Sequence, residues 1–265
     1  MPGQARRIVN ALRDTAKLPV IKIDITATEA TLSALDGTDP HAWRWSAGQI
    51  EEVESDIEYI QQSTFDPDEF DFDDVGALFT TASQISGSAT AQELQIVEQT
   101  PGSVMMVVTT RPESEPVFFR PDGTTVNRLD FMTAEGLREG LDDAIAGRTQ
   151  LTLIALAKDA IYAESPDPKD PAATLRVTRQ ARVPAFRASR GETGTLDPFS
   201  PSDIRVSVVL EQMRTLPMIW GKPAGTPVTW VVDRRDARPL PTIRFSFEGR
   251  TRVTDLDGRD ITDEI

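Results

Sequence analysis

The feature that most constrains this chain is a recurring order of periodicities. Four segments carry helix signals, and each is followed by runs that alternate or are rich in β-branched residues. "ARRIVNALRDTA" places Ile8, Val9 and Leu12 at helical spacing, and "DFDDVGALFTTASQI" places Val75, Leu78, Phe79 and Ala82 at i, i+3, i+4 and i+7. "MTAEGLREGLDDAIAG" carries Leu137, Leu141 and Ile145, with Thr133 placed as an N-cap and Gly147 just past the end. "FSPSDIRVSVVLEQMRTL" reads as a helix opened by Ser200, with Pro201 at its first position and Asp203 completing a capping-box-like start.

The segments between are strand-like. "VIKIDI" alternates, which puts Ile21, Ile23 and Ile25 on one face and Lys22 and Asp24 on the other. "SVMMVV", "TLIAL", "TLRVTR" and "VTWVV" are β-rich runs of strand length. A second marker is an aromatic strand followed by a glycine turn, as in "HAWRWSAGQIEEV", "PVFFRPDGTTV", "VPAFRASRGETGTL" and "TIRFSFEGRTRVTDLDG". Its aromatics, Trp45, Phe119, Phe186 and Phe247, lie 74, 67 and 61 residues apart. The expected fold class is therefore α+β, with tandem repeats of a helix packed on a three- to four-stranded antiparallel sheet. Units are expected near 1–66, 67–131, 132–197 and 198–265, paired into domains 1–131 and 132–265. Two units can abut into a longer sheet or pack face to face. "SPDPKDPAA" (165–173) reads as an exposed loop within the third unit, and the glycines of "RASRGETGT" and "WGKPAGTP" as hairpin turns.

This element order resembles the small α+β modules of the PepSY and β-lactamase-inhibitory-protein kind, which occur in tandem in bacterial envelope and secreted proteins. The resemblance covers almost the whole chain as element order and carries over no functional residue. It implies a non-catalytic binding or inhibitory module outside the cytoplasm.

Composition narrows the function classes. Hydrophobic content of 39% with 26% charged residues is that of a folded, soluble protein. No stretch approaches eighteen consecutive apolar residues, and the start has no apolar h-region. "Met-Pro-Gly" directly before a helix is read as the beginning of a soluble part of something longer. The absence of cysteine removes disulfides, thiolate metal sites and Cys nucleophiles. The net charge of −14 is local: residues 51–74 hold eleven acids and no base, and the remaining thirty-one acids nearly balance twenty-eight bases. No concentrated basic face is visible, so neither a nucleic acid nor an anionic membrane surface is expected as partner.

Catalytic patterns are missing. His41 is the only histidine and is placed in an exposed turn; no G-x-S-x-G elbow and no phosphate loop occurs. No cofactor and no metal are expected. Forty-two acids always supply some carboxylate pair, and nothing selects one.

The candidate binding residues are Trp43 and Trp45, which share one side of a strand, and Asp66, Asp68, Glu69 and Asp71 of the acidic segment. The tryptophans are either an aromatic platform or the cover over their own helix. The acids are either a solvated linker leading into a helix, a calcium cluster lacking the EF-hand glycine and glutamate, or a strip that meets a basic partner. The leading expectation is an extracytoplasmic bacterial protein-binding or scaffold module, with another protein as partner. A carrier of a lipid or other apolar molecule is the alternative, and a carboxylate-based enzyme the third. A cytoplasmic location is the alternative to the extracytoplasmic one.

Overall fold

The computed structural model describes residues 3–57, 62–100, 102–191, 196–236 and 238–265. The chain divides into unit 1, Met1–Asn127, and unit 2, Arg128–Ile265. Unit 1 runs α1 (Gln4–Ala16), β1 (Val20–Ile25), β2 (Glu29–Asp36), β3 (Asp39–Ser46), β4 (Gln49–Val53), α2 (Val75–Ser86), β5 (Glu93–Thr100), β6 (Ser103–Thr109) and β7 (Val117–Phe119). Unit 2 repeats that order with α3 (Ala134–Ile145), β8 (Leu153–Ala157), β9 (Ala160–Pro166), β10 (Thr174–Gln180), β11 (Phe186–Arg190), α4 (Val206–Ile219), β12 (Thr229–Asp233), β13 (Thr242–Phe247) and β14 (Arg250–Thr254).

The α+β class stands, but the expected three- to four-stranded sheets do not. Each unit has one seven-stranded sheet, ordered β4-β3-β2-β1-β5-β6-β7 in unit 1 and β11-β10-β9-β8-β12-β13-β14 in unit 2. The blocks abut because their first strands pair antiparallel, Ile23 with Ile96 across β1 and β5, and Val231 with Ala155 across β12 and β8. The aromatic markers are not equivalent positions, since Trp45 is in β3, Phe119 in β7, Phe186 in β11 and Phe247 in β13.

Both helices of a unit cover the same sheet face. In unit 1, Val9, Leu12, Leu78 and Ala82 pack on Ile23, Leu32, Leu94, Ile96 and Met106. In unit 2, Leu137, Leu141, Val209 and Met213 pack on Ile154, Leu156, Trp230, Val232 and Phe245. Alternation therefore sends every second strand residue into a continuous apolar layer. A register shift between Val20 and Lys22 breaks the expected isoleucine row. Ile23 and Ile25 join the main core, whereas Ile21 packs with Leu35 and Ile57 in a separate cluster.

The helix starts differ in one place. Thr133 caps α3 as expected, accepting the Gly136 N–H at 3.1 Å. Ser200 does not cap α4: Pro201–Asp203 form a 3-10 turn, Ile204 is extended, and α4 begins at Val206. The cause is tertiary. Phe199 bridges to Leu151, and Ile204 packs against the core, so the chain must straighten before the helix starts. Unit 1 has the same device, with Phe65 bridged to Val20, a 3-10 turn at Pro67–Glu69, and Phe70 extended before Asp74 caps α2. Residues 65–74 of the acidic segment thus form an element that unit 2 repeats, running into α2 with the Asp66 and Asp68 side chains exposed. His41 is likewise a strand residue, half-exposed in β3 with Nδ1 3.1 Å from Glu52, rather than a turn residue.

Candidate functional site

The two edges of each sheet are treated differently. At one edge the chain folds back on itself. Beside β7, Thr125 bridges Phe119 and Val126 N–H donates to Phe118 O at 2.9 Å. Beside β14, Asp260 bridges Thr254 and Ile261 N–H donates to Val253 O at 2.9 Å. At the other edge, among the described residues, β4 pairs only with β3 and β11 only with β10. An edge strand paired on one side presents a row of free N–H and C=O groups.

β11 is the more accessible of the two: Phe186 is half-buried, and Arg187, Ala188, Ser189 and Arg190 are all exposed. Its position is set by a buried arginine. Arg179 is fully buried; it donates to Asp143 of α3 at 2.8 Å and to Val183 O at 2.7 Å, which ties the segment entering β11 to the helix layer. Ala181 extends the anchorage, its N–H going to Asp159 O and its carbonyl accepting from Leu129 N–H. Register then pairs Arg187 with Val177 and Arg190 with Thr174.

Successive residues of β11 face opposite sides. Arg187 and Ser189 lie on the helix side with the buried Val177. Behind them stands Arg148, just past α3. Its guanidinium donates to Ile145 O at 2.9 Å, Ala144 O at 2.6 Å, Ala163 O at 3.2 Å, Ser165 Oγ at 3.0 Å and Leu175 O at 3.5 Å. Every acceptor is neutral. The guanidinium closes the helix C-terminus and, among the described residues, meets no carboxylate. Burial, with the charge of Arg187 added, pushes its pKa down to about 10. Asp167, on the same flank, is engaged by the Lys169 N–H and the Ser189 hydroxyl, which hold its pKa below the ordinary carboxylate value. On the opposite face one carboxylate, Glu164, serves Arg176 and, at 3.9 Å, Arg190.

The six residues singled out from the sequence do not form one site. Trp43 is buried in the unit 1 core and stacks on His41. Trp45 packs against the same core and lines a cleft of about 600 Å³ with Ile8, Ile25, Ala30, Val75 and Phe79. Asp66 and Asp68 pair with Arg13 at 3.4 and 2.9 Å, and Arg6 adds a contact to Asp68 at 3.5 Å. Glu69 and Asp66 line a separate groove of about 880 Å³ with Phe65 and Phe70. Asp71 accepts the Asp73 N–H within its own turn. Among the described residues, no group of three or more His, Cys, Asp or Glu side chains is arranged to hold a metal. Among the described residues, no helix is long and apolar enough to cross a membrane.

Sequence reasoning missed β11. The signal was present: residues 176–190, "RVTRQARVPAFRASR", carry five arginines and no acid. The near balance of thirty-one acids and twenty-eight bases outside residues 51–74 hides it, because a total over many strands conceals the charge of one.

No protein-family model matches the chain, and no curated protein matches it. Among solved structures, it is similar to the DNA polymerase III β subunit from Thermotoga maritima at 12% identity, covering 92% of this chain and 58% of that one, with a TM-score of 0.19. The DNA polymerase sliding clamp from Pseudomonas aeruginosa gives 12% identity, 98% and 62% coverage, and a TM-score of 0.16. The DNA polymerase III β chain from Streptococcus pneumoniae gives 11%, 95% and 63%, and 0.16. The chain spans about three fifths of the length of these structures. Likenesses at such TM-scores carry no inference about function.

Proposed function

We propose that this chain is a non-catalytic protein-binding module that receives an extended partner strand on the β11 edge. The observation that carries this reading is the one-sided pairing of β11, with four consecutive exposed residues, while β7 and β14 are covered by their own chain. Strand addition supplies affinity through main-chain hydrogen bonds and specificity through alternate side chains. A photo-crosslinking residue at Ala188, with Gln84 on α2 as an exposed control, tests it in the host cell. A discrete protein adduct at Ala188 and none at Gln84 supports the reading; equal or absent adducts at both positions overturn it. Adducts only to further copies of the chain would also overturn it, replacing the separate partner with self-association.

A second reading, an apolar-ligand carrier, is favoured by the cleft over Trp45, whose volume lies within the range of small-molecule pockets. Native mass spectrometry of protein purified from its host without detergent distinguishes the two. A bound mass lost on denaturation supports the carrier, and a bare polypeptide mass removes it.

A further inference from the structure

The β11 edge has a chemistry of its own, apart from being open. Arg187 is exposed on the helix side, and among the described residues its side chain makes no hydrogen bond or ion pair. The charge next to it, Arg148, has its donors directed at five neutral oxygens. The charge of Arg187 is felt at Arg148, and the nearby Asp167 is committed to Ser189 and the Lys169 N–H. Arg190, on the other face, is only loosely held at 3.9 Å by a glutamate that Arg176 already engages through two nitrogens. Like charges that act on one another are relieved when an anion joins them. Arginine is also the side chain best shaped to receive a carboxylate through two parallel N–H groups.

We propose that the β11 edge selects an extended acidic segment of a separate protein, pairing antiparallel with β11 and setting one carboxylate against Arg187 and another, three residues away, against Arg190. The geometry accounts for that spacing. Residues three apart in a strand project to opposite faces, as Arg187 and Arg190 do, and directly opposed side chains in an antiparallel pair lie within reach of one another. The position next to the first carboxylate then meets half-buried Phe186 and calls for an apolar residue. Every pair in the unit 2 sheet is antiparallel, so such a segment continues the existing ladder. This inference rests on the strand-addition reading and adds to it the charge and spacing of the partner.

The test uses the full chain and three synthetic probes: acetyl-TVEVTEVT-amide, the same peptide with both glutamates replaced by glutamine, and the same peptide with both replaced by lysine. A short single-stranded DNA oligonucleotide is a fourth. Affinities are measured by fluorescence anisotropy at fixed ionic strength, with backbone amide exchange of β11 as a second readout. The acidic peptide is expected to bind about tenfold or more tighter than the glutamine form, in keeping with charge-assisted hydrogen bonding, and to protect the β11 amides. Arg187→Gln should remove most of that preference, and Arg187→Glu should transfer it to the lysine peptide. Arg187 is exposed and outside the core, so the thermal transition should not move, and Arg148 is left untouched because it closes α3. Equal binding of the acidic and glutamine peptides overturns the charge inference and leaves strand addition standing. Absence of binding by any peptide overturns both. Arg187-dependent binding of the oligonucleotide in preference to the acidic peptide overturns the protein partner in favour of a nucleic-acid one.

Discussion

Units 1 and 2 have the same element order and the same strand order, yet their open edges carry opposite charge. β4 presents Glu51 and Glu52, held by Arg44 and His41 of the neighbouring strand. β11 presents Arg187 and Arg190, the first without an ion-pair partner among the described residues and the second weakly held. The arginines of the leading helices differ as well. Arg6 and Arg13 of α1 are taken up by Asp66, Asp68 and Asp73, whereas Arg148 behind α3 is taken up by carbonyl oxygens. The apolar layer repeats because a helix pair on a sheet admits few solutions. The edge charges are under no such constraint. Specific recognition is therefore best sought where the two units differ rather than where they agree.

The comparison can be broken most strongly through the cores. Phe119→Ala removes a buried ring of unit 1 and should cost about 3–5 kcal/mol. Calorimetry should show the loss in the unit 1 transition, with unit 2 unmoved. A loss below about 1 kcal/mol would place the ring outside the core.

Next in size is a contrast between the leading helices. α3 carries Gly136 and Gly140, and α1 carries no glycine. A Cβ at Gly136 would sit 2.3 Å from Asp130 O, and one at Gly140 would sit 2.6 Å from the Phe131 ring. Gly136→Ala should therefore lower the unit 2 transition by about 1–3 kcal/mol through overpacking, despite the better helix propensity of alanine.

A third test belongs to unit 1. Burial opposes the charge of Glu98, but the Gly102 N–H and the Ser63 N–H and hydroxyl outweigh it and hold its pKa below the ordinary value of 4.5. The folded state therefore binds this proton less readily than the unfolded one. Its stabilisation is complete above the ordinary value and is lost as pH falls through the lowered folded value. Glu98→Gln should cost about 1–2 kcal/mol at neutral pH and flatten the acid limb of a stability–pH curve. An unchanged acid limb would remove the assignment.

The smallest effect separates two residues that read alike in the sequence. Thr133→Ala should cost about 1 kcal/mol because the hydroxyl caps α3. Ser200→Ala should stay within about 0.5 kcal/mol, since among the described residues that hydroxyl meets only Ser202. Equal losses in urea titrations would mean that Ser200 does serve as a cap.

That pair also shows where local reading stops. Helices and most strands were legible because their periodicity is local: β1 falls on "VIKIDI", and β12 covers the last four residues of "VTWVV" and Asp233. The 3-10 turns and the late start of α4 were not, since they depend on Phe65 and Phe199 bridging to strands far away in sequence. Sheet size was missed for the same reason, because nothing near Ile23 announces Ile96 as its neighbour. Of the candidate site, Trp45 was legible as an aromatic on a cleft. Asp66 and Asp68 were not legible as partners of Arg13, which sits on a different element. β11 was read only as a strand marker, because its significance lies in which side is left unpaired. Of the two glycines of "RASRGETGT" read as a hairpin turn, Gly194 lies outside the described residues.

The seam between β1 and β5 has a consequence for biosynthesis. Lys22 leaves the ribosome long before its neighbour Val97, and at cellular elongation rates the interval is on the order of 4–15 s. Through that interval the nascent chain carries β1 with one ladder unmade and an apolar face awaiting α2. The second half of each sheet must arrive before the first is shielded. A chaperone that engages emerging chains would therefore meet this protein twice, once for each seam.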